Sequence, residues 1–418
     1  VSKLVINGGK QLNGEVSISG SKNAALPILS ASLLAEGLVS VSNVPNLQDV
    51  ETLVDLLAAM GVKVSRTDEH SIELNAGNLT SYTAPYHLVK KMRASILVLG
   101  PLLARFGQAN VSFPGGCAIG NRSVDMHLEG LRAMGASINI EHGYIRAECG
   151  GQLHGAEIYH DTVSVGATEN LMMAACLARG QTVIHNAARE PEIVDLGECL
   201  IHWGAKVKGL GSSKLVIEGV RSLSGGIHRV IPDRIEAGTF MTAVAATGGQ
   251  IKLVNADPSH LYAVMKKMRD TGAKISSNRD SIFIEISGKK LKAVDIKTAP
   301  YPGLPTDMQA LFTALSTVSE GTCFIEETIF ENRFMHVQEL KRMGADISVK
   351  DNIARVVGIP NLYGAEVTAS DLRASAALII AGLVAIGETT VFGMEHTDRG
   401  YENIDLKLAS LGADIVRI

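Results

Sequence analysis

Aromatic side chains are scarce: 8 tyrosines, 9 phenylalanines and 1 tryptophan make up 4% of 418 residues. The cores must therefore be aliphatic, built from Leu, Ile, Val, Ala and Met. An excess of positive charge is also missing. The formal charge is -4, which excludes a general basic field of the kind that binds nucleic acid. No run of about 18 apolar residues escapes charges or helix breakers, so no helical membrane span is expected. The opening VSKLVINGGKQLNG lacks the apolar centre of an export signal, and the expected location is the cytoplasm. The five cysteines, Cys117, Cys149, Cys176, Cys199 and Cys323, are odd in number and scattered. They make neither a disulfide framework nor a metal spacing.

Familiar site motifs are missing too. There is no GxxxxGK[ST], HExxH or GxSxG, and no early GxGxxG. These absences disfavour phosphate-loop, zinc-hydrolase, nucleophile-elbow and dinucleotide chemistry. His127, His202, His260, His336 and His396 are dispersed and read as packing or surface histidines. No metal and no cofactor are expected.

What the chain does have is repetition. LVDLLAAMGVKV, LEGLRAMGASINI, LGECLIHWGAKVK, AVMKKMRDTGAKI, VQELKRMGADISV and IDLKLASLGADIV share one pattern. Each is a short amphipathic helix, a glycine and a strand. The glycines are Gly61, Gly135, Gly204, Gly272, Gly344 and Gly412, a repeat of about 70 residues. Each repeat carries a second, nearly all-apolar helix: 21–37, 92–107, 164–180, 233–249, 306–321 and 371–387. A helix without a polar face belongs inside a domain. The pattern predicts an α/β fold of six βαβαββ units, three in each of two globular domains. The first domain is expected over 22–230 and the second over 1–21 plus 231–418, with the chain crossing twice and the active site in the cleft between them.

The apolar helices open on polar groups: Lys22 and Asn23, Arg93, Ser164 with Gly166, Arg234, Asp307, and Asp371 with Arg373. Helix amino termini favour anions through unpaired N–H groups and aligned dipoles. Asp307 and Asp371, each taken alone, read better as helix caps than as catalysts. Whether Lys22 faces solvent or an anionic partner is left open by its neighbours. The segment FPGGCAIGNRSVD, 113–125, is a loop by its glycines and proline. It carries Cys117, with Arg122 near enough in sequence to lower a thiol pKa; a reactive thiol and an idle one are both compatible with it.

GSKNAALPILSASLLAEG, PGGCAIGNRSVD, NAAREPEIVDL, PDRIEAGTF, PTDMQA, FENRFMHVQEL, SDLRASAALIIAG and HTDRGYENIDLKL resemble the UDP-N-acetylglucosamine 1-carboxyvinyltransferase family. The likeness runs from about residue 3 to residue 418. The family belongs to the enolpyruvyl transferases, which include 3-phosphoshikimate 1-carboxyvinyltransferase, and its fold is a two-domain inside-out α/β barrel. The resemblance implies transfer of the enolpyruvyl group of phosphoenolpyruvate to the 3-hydroxyl of UDP-N-acetylglucosamine, the first committed step of peptidoglycan synthesis. It implies no cofactor, and a monomer or weak homo-oligomer.

The resemblance also implies roles. Cys117 protonates or binds the donor and is alkylated by fosfomycin. Lys22, Arg122 and Arg399 hold the donor's phosphate and carboxylate. Asp307 is the proposed base for the sugar hydroxyl, although nearby cations make it a weak one. Asn23 touches the sugar, and Arg93 a diphosphate or donor group. Ser123, Val124, Asp125 and Met126 embrace the uridine; Ser164, Val165 and Gly166 meet the diphosphate. Glu190 lies beside the acceptor, and Ile329 and Phe330 line the sugar pocket. Asp371 and Arg373 lie next to the donor site, with Asp371 holding Lys22 or aiding proton transfer. Thr162, Leu97 and the loop sequence RSVDMH depart from many relatives without touching a residue proposed for chemistry. The competing expectations are the same fold acting on a shikimate phosphate and a non-catalytic binder of the nucleotide sugar.

Overall fold

The computed structural model describes residues 2–114, 124–288 and 290–418. Cys117, Arg122 and Ser123 lie outside the described residues. Twelve main helices are α1 (Lys22–Ala31), α2 (Gln48–Ala59), α3 (Leu99–Phe106), α4 (Asp125–Ala133), α5 (Val165–Ala175), α6 (Pro191–His202), α7 (Arg234–Thr247), α8 (Tyr262–Thr271), α9 (Gln309–Val318), α10 (His336–Arg342), α11 (Leu372–Val384) and α12 (Ile404–Ser410). The odd-numbered helices are the apolar ones. In α7 and α11 nearly every side chain is buried, as a helix without a polar face requires. The second apolar stretch does not start as an α-helix. Residues Arg93–Val98 form a 3-10 turn that leads into α3.

The described strands form six four-stranded sheets of one pattern. In the sheet of Glu157–Tyr159, Gln181–His185, Lys214–Glu218 and Lys206–Lys208, the first two strands are parallel and flank α5. The other two run antiparallel and follow α6. A parallel pair joined through an apolar helix, with a return through an amphipathic one to an antiparallel pair, makes such a mixed sheet. The six repeat glycines, Gly61, Gly135, Gly204, Gly272, Gly344 and Gly412, all have φ between 93° and 109°. That is the left-handed position at which glycine ends a helix without steric cost.

The chain divides into two compact units. One consists of the segment up to Ser19 with Pro232–Ile418, the other of the described residues within 20–231. Each has its own aliphatic core. Sheet pairing explains the division. Gly226–Arg229 runs parallel to Val39–Ser42, so residues far along the chain supply the first strand of the α1 repeat. Leu12–Ser17 runs parallel to Gly249–Val254 and supplies the first strand of the α7 repeat. Leu4–Asn7 lies between Glu388–Phe392 and Asp414–Arg417, antiparallel to both.

Candidate functional site

In the unit containing α1, Ser21 caps that helix by accepting a hydrogen bond from the Ala24 amide. This leaves Lys22 and Asn23 in the first turn, both half-buried. Lys22 Nζ lies 3.0 Å from Asp49 Oδ2, in the first turn of α2. Both side chains are largely removed from water, with 12% and 5% of their surface accessible. A buried ammonium needs a counter-charge, and Asp49 provides it. Sequence reasoning missed Asp49; its signal was an acidic residue in a first helical turn, a feature too common to stand out.

Three other groups of this unit are placed locally. Ser164 caps α5 by accepting from the Ala167 amide, which sets Val165 and Gly166 at the helix start. Val124 precedes α4 and is buried; Asp125 and Met126 open that helix, and Thr162 Oγ1 approaches Met126 Sδ at 3.9 Å. Glu190 is buried just before α6, its Oε2 accepting from the Arg189 amide at 3.0 Å. His127 was read as a packing residue, and it is buried: its Nδ1 lies 3.0 Å from the side-chain amide of Asn170. Burial, followed by the charges of Arg93 and His160, pushes its pKa down to about 3.

In the other unit a polar network surrounds Asp307. Arg333 Nη2 donates to Asp307 Oδ1 at 2.6 Å, and Arg373 Nη2 donates to Oδ2 at 2.9 Å. Both guanidinium groups are buried, while 24% of the Asp307 side chain is accessible. Burial alone would raise the Asp307 pKa, but Arg373 and then Arg333 hold it well below the usual carboxylate range. Arg333 Nη1 donates to Thr306 Oγ1 at 2.6 Å, and Thr306 in turn donates to Glu327 Oε2 at 2.8 Å. Glu327 also accepts from Thr298 Oγ1 and from the amides of Ile329 and Phe330. One buried carboxylate therefore fixes the Ile329–Phe330 segment and braces the arginine that orients Asp307. Phe330 lies under the Arg333 guanidinium, 5.1 Å from ring centre to Cζ, a cation–π contact.

Asp371 behaves differently from Asp307. Its Oδ1 accepts from the amides of Arg373 and Ala374, so it is the cap of α11. Arg373, two residues on, is buried and stands over the Tyr401 ring at 5.3 Å. Tyr401 is itself tied to Thr239 by a 2.8 Å hydrogen bond. Arg399 is half-buried just beyond the short helix Met394–Thr397. Arg333 and Glu327 were missed from sequence. Arg333 stands inside the quoted FENRFMHVQEL, but nothing local in that string shows which carboxylate it reaches.

Three comparisons bear on this arrangement. A family profile described as EPSP synthase (3-phosphoshikimate 1-carboxyvinyltransferase) matches residues 6–408. A protein of Shewanella woodyi named UDP-N-acetylglucosamine 1-carboxyvinyltransferase is 56% identical over 418 residues, 100% of both chains. The chain belongs to this enolpyruvyl transferase family. A Shewanella baltica protein of the same name is also 56% identical, over 417 residues and 100% of both chains. Among solved structures, the enolpyruvyl transferase NikO from Streptomyces tendae has a TM-score of 0.88 at 24% identity, covering 100% of this chain and 98% of that one. EPSP synthase from Acinetobacter baumannii has a TM-score of 0.78 at 19% identity, covering 100% of both chains. At such identities the structural likeness establishes the α/β enolpyruvyl transferase fold alone. Among the described residues no helix is long and apolar enough to cross a membrane.

Proposed function

We propose that the protein transfers the enolpyruvyl group of phosphoenolpyruvate to the 3-hydroxyl of UDP-N-acetylglucosamine and releases inorganic phosphate. The observation that carries this reading is the 56% identity, end to end, with curated relatives of that name. The reading places the reaction in the cytoplasm as the entry step of peptidoglycan synthesis.

In this scheme the sugar hydroxyl adds to C2 of the donor while C3 gains a proton. The resulting tetrahedral phospho-ketal then loses a C3 proton and phosphate, which restores the double bond. No redox or group-carrying cofactor is needed for these steps. Lys22, Arg122 and Arg399 bind the donor's anionic groups and stabilise the charge of the intermediate. Cys117 delivers the C3 proton or holds the donor covalently, which also makes it the point of attack for fosfomycin. Asp307 meets the acceptor hydroxyl. Its two arginine partners keep it ionised, so it accepts a hydrogen bond readily but is a weak base. Its main contribution is then to orient the hydroxyl, with proton removal following as the C–O bond forms. Asn23, Ile329 and Phe330 line the sugar; Ser123, Val124, Asp125, Met126, Ser164, Val165 and Gly166 take the nucleotide. Arg93, Glu190, Asp371 and Arg373 complete the charged surround.

The test is phosphate release from phosphoenolpyruvate with either UDP-N-acetylglucosamine or shikimate 3-phosphate as acceptor. Release with the nucleotide sugar alone supports the reading. Release with the shikimate phosphate alone, or with neither, overturns it.

A further inference from the structure

Two arginines hold Asp307, and each rests on an aromatic ring. Arg333 Cζ stands 5.1 Å from the centre of the Phe330 ring, and Arg373 Cζ 5.3 Å from that of Tyr401. Aromatic residues make up only 4% of the chain, so a ring under both arginines does not follow from composition. The two guanidinium groups are secured differently. Arg333 donates through both terminal nitrogens, to Thr306 and to Asp307. Arg373 donates through Nη2 to Asp307 Oδ2 at 2.9 Å, while its buried Nη1 has no hydrogen-bond partner among the described residues. A guanidinium anchored at one terminal nitrogen can swing about that contact. The surface that can stop it is the face of the Tyr401 ring.

Tyr401 is itself secured twice. Its amide donates to the Thr397 carbonyl at 3.0 Å, just past the short helix Met394–Thr397. Its hydroxyl lies 2.8 Å from Oγ1 of Thr239, a buried residue of α7. Thr239 commits its only proton to the Ile235 carbonyl at 2.8 Å, so the phenol is the donor in this contact. The ring is therefore neutral and its rotation is locked. Burial, which pushes the phenol pKa up, keeps the proton in place.

We propose that Tyr401 is a positioning residue for the transfer: anchored on Thr239, its ring holds the Arg373 guanidinium in the plane from which Arg373 orients Asp307. The proposal deepens the reading above and rests on it for the role of Asp307. At Arg333 the same task falls to Phe330 and Thr306 together.

The first measurement is steady-state phosphate release by the full chain, over both substrates and well below the thermal midpoint of each variant. Tyr401→Leu removes the ring and should lower kcat about tenfold, with both KM values within about threefold. Tyr401→Phe keeps the ring and should hold kcat within about threefold of the wild type. Once Arg373 is gone the ring has nothing to hold. Adding Tyr401→Leu to Arg373→Met should therefore lower kcat by less than about twofold more. An unchanged kcat in Tyr401→Leu, or full multiplication of the two losses in the double variant, overturns the proposal. A tyrosine that only fills the core would lower the thermal midpoint and leave the kcat of the folded protein alone. Should Tyr401→Leu fail to fold, Thr239→Val removes the acceptor of the phenol and Thr239→Ser keeps it. The Val variant should have a kcat about threefold below that of the Ser variant; equal values overturn the proposal. Absence of turnover in the wild-type protein counts against the proposed function instead. A proton–nitrogen spectrum of the arginine side chains, with Arg373 assigned by Arg373→Met, then decides this proposal. Arg373 should show an upfield ring-current shift that Tyr401→Phe keeps and Tyr401→Leu abolishes; a signal unmoved in the Leu variant overturns it.

Discussion

Arg333 reaches Asp307 through one terminal nitrogen and Thr306 through the other, so the carboxylate and the residue before it are gripped by a single planar group. A guanidinium is suited to this because its donors are rigidly arranged and it keeps its charge when buried. Arg333→Met should leave Asp307 held by Arg373 at one oxygen and free it to turn. The expected result is a fall in kcat of about 10- to 100-fold, with the nucleotide KM changed far less. Steady-state phosphate release over both substrates measures the split.

Asp307 should contribute no ionisation near neutrality. Its pKa lies well below the carboxylate range because two arginines outweigh its burial. The linked stability is present above the unfolded value of 3.8 and is lost as pH falls through the lower folded value. The acid limb of the pH–kcat profile near neutrality should therefore be unchanged in Asp307→Glu, while kcat itself drops. An acid limb that moves with this substitution contradicts the assignment.

Lys22 and Asp49 form a pair that is costly to break from one side. Asp49→Asn leaves the ammonium without its buried counter-charge and loosens its direction. KM for phosphoenolpyruvate should rise about tenfold, with a smaller effect on the nucleotide. Conversely, Lys22→Met should lose activity and also lower the thermal midpoint, since Asp49 then remains buried without that cation. Donor titrations and thermal melts on the two variants check this.

Glu236 offers a stability test away from the chemistry. Its Oε1 accepts from Lys407 Nζ at 2.6 Å, and its Oε2 accepts from the Ser19 amide at 2.7 Å. Lys407→Met should cost roughly 3 kcal/mol by leaving a buried acid without its cation. Adding Glu236→Gln should restore much of that loss. The urea midpoints of the single and double variants make the comparison as a cycle.

Acid should weaken the fold before it protonates the surface carboxylates. His127 and His336 have pKa values near 3 and 4. Burial is the first cause in both, opposed at His336 by Asp371. Between those values and the unfolded value of 6.5 the unfolded chain binds more protons than the folded one. Stability is thus fully present above 6.5 and declines as pH drops toward 4. Thermal midpoints should fall over that window, and the slope should lessen in His336→Asn.

The repeat was legible because glycine at a left-handed helix end leaves a mark in sequence, and six such marks at one spacing are hard to produce otherwise. Lys22 and Arg373 stood out because cations opening apolar helices are unusual, whereas Asp307 and Asp371 read as caps and were singled out by the family resemblance. Their partners did not stand out. Asp49, Arg333, Glu327 and Tyr401 are ordinary residues for their local positions, and each acquires its role from a contact made in three dimensions. Asp307 and Asp371 show the same limit from the other side. Both stand at the start of an apolar helix, yet one is a helix cap and the other is held by two arginines 26 and 66 residues away.

The strand Leu4–Asn7 is completed by Glu388–Phe392 and Asp414–Arg417. During synthesis these first residues leave the ribosome hundreds of residues ahead of their partners. Residues 20–231 contain both members of every strand pair in their three sheets, so that unit can close while the rest is still being made. The strand Leu4–Asn7 must wait, with apolar Leu4 and Ile6 uncovered, until residues 388–417 have been made. Order of emergence and order of folding are therefore inverted at this end of the chain. Substitutions there should act on yield in the cell more strongly than on the stability of the protein once it has folded.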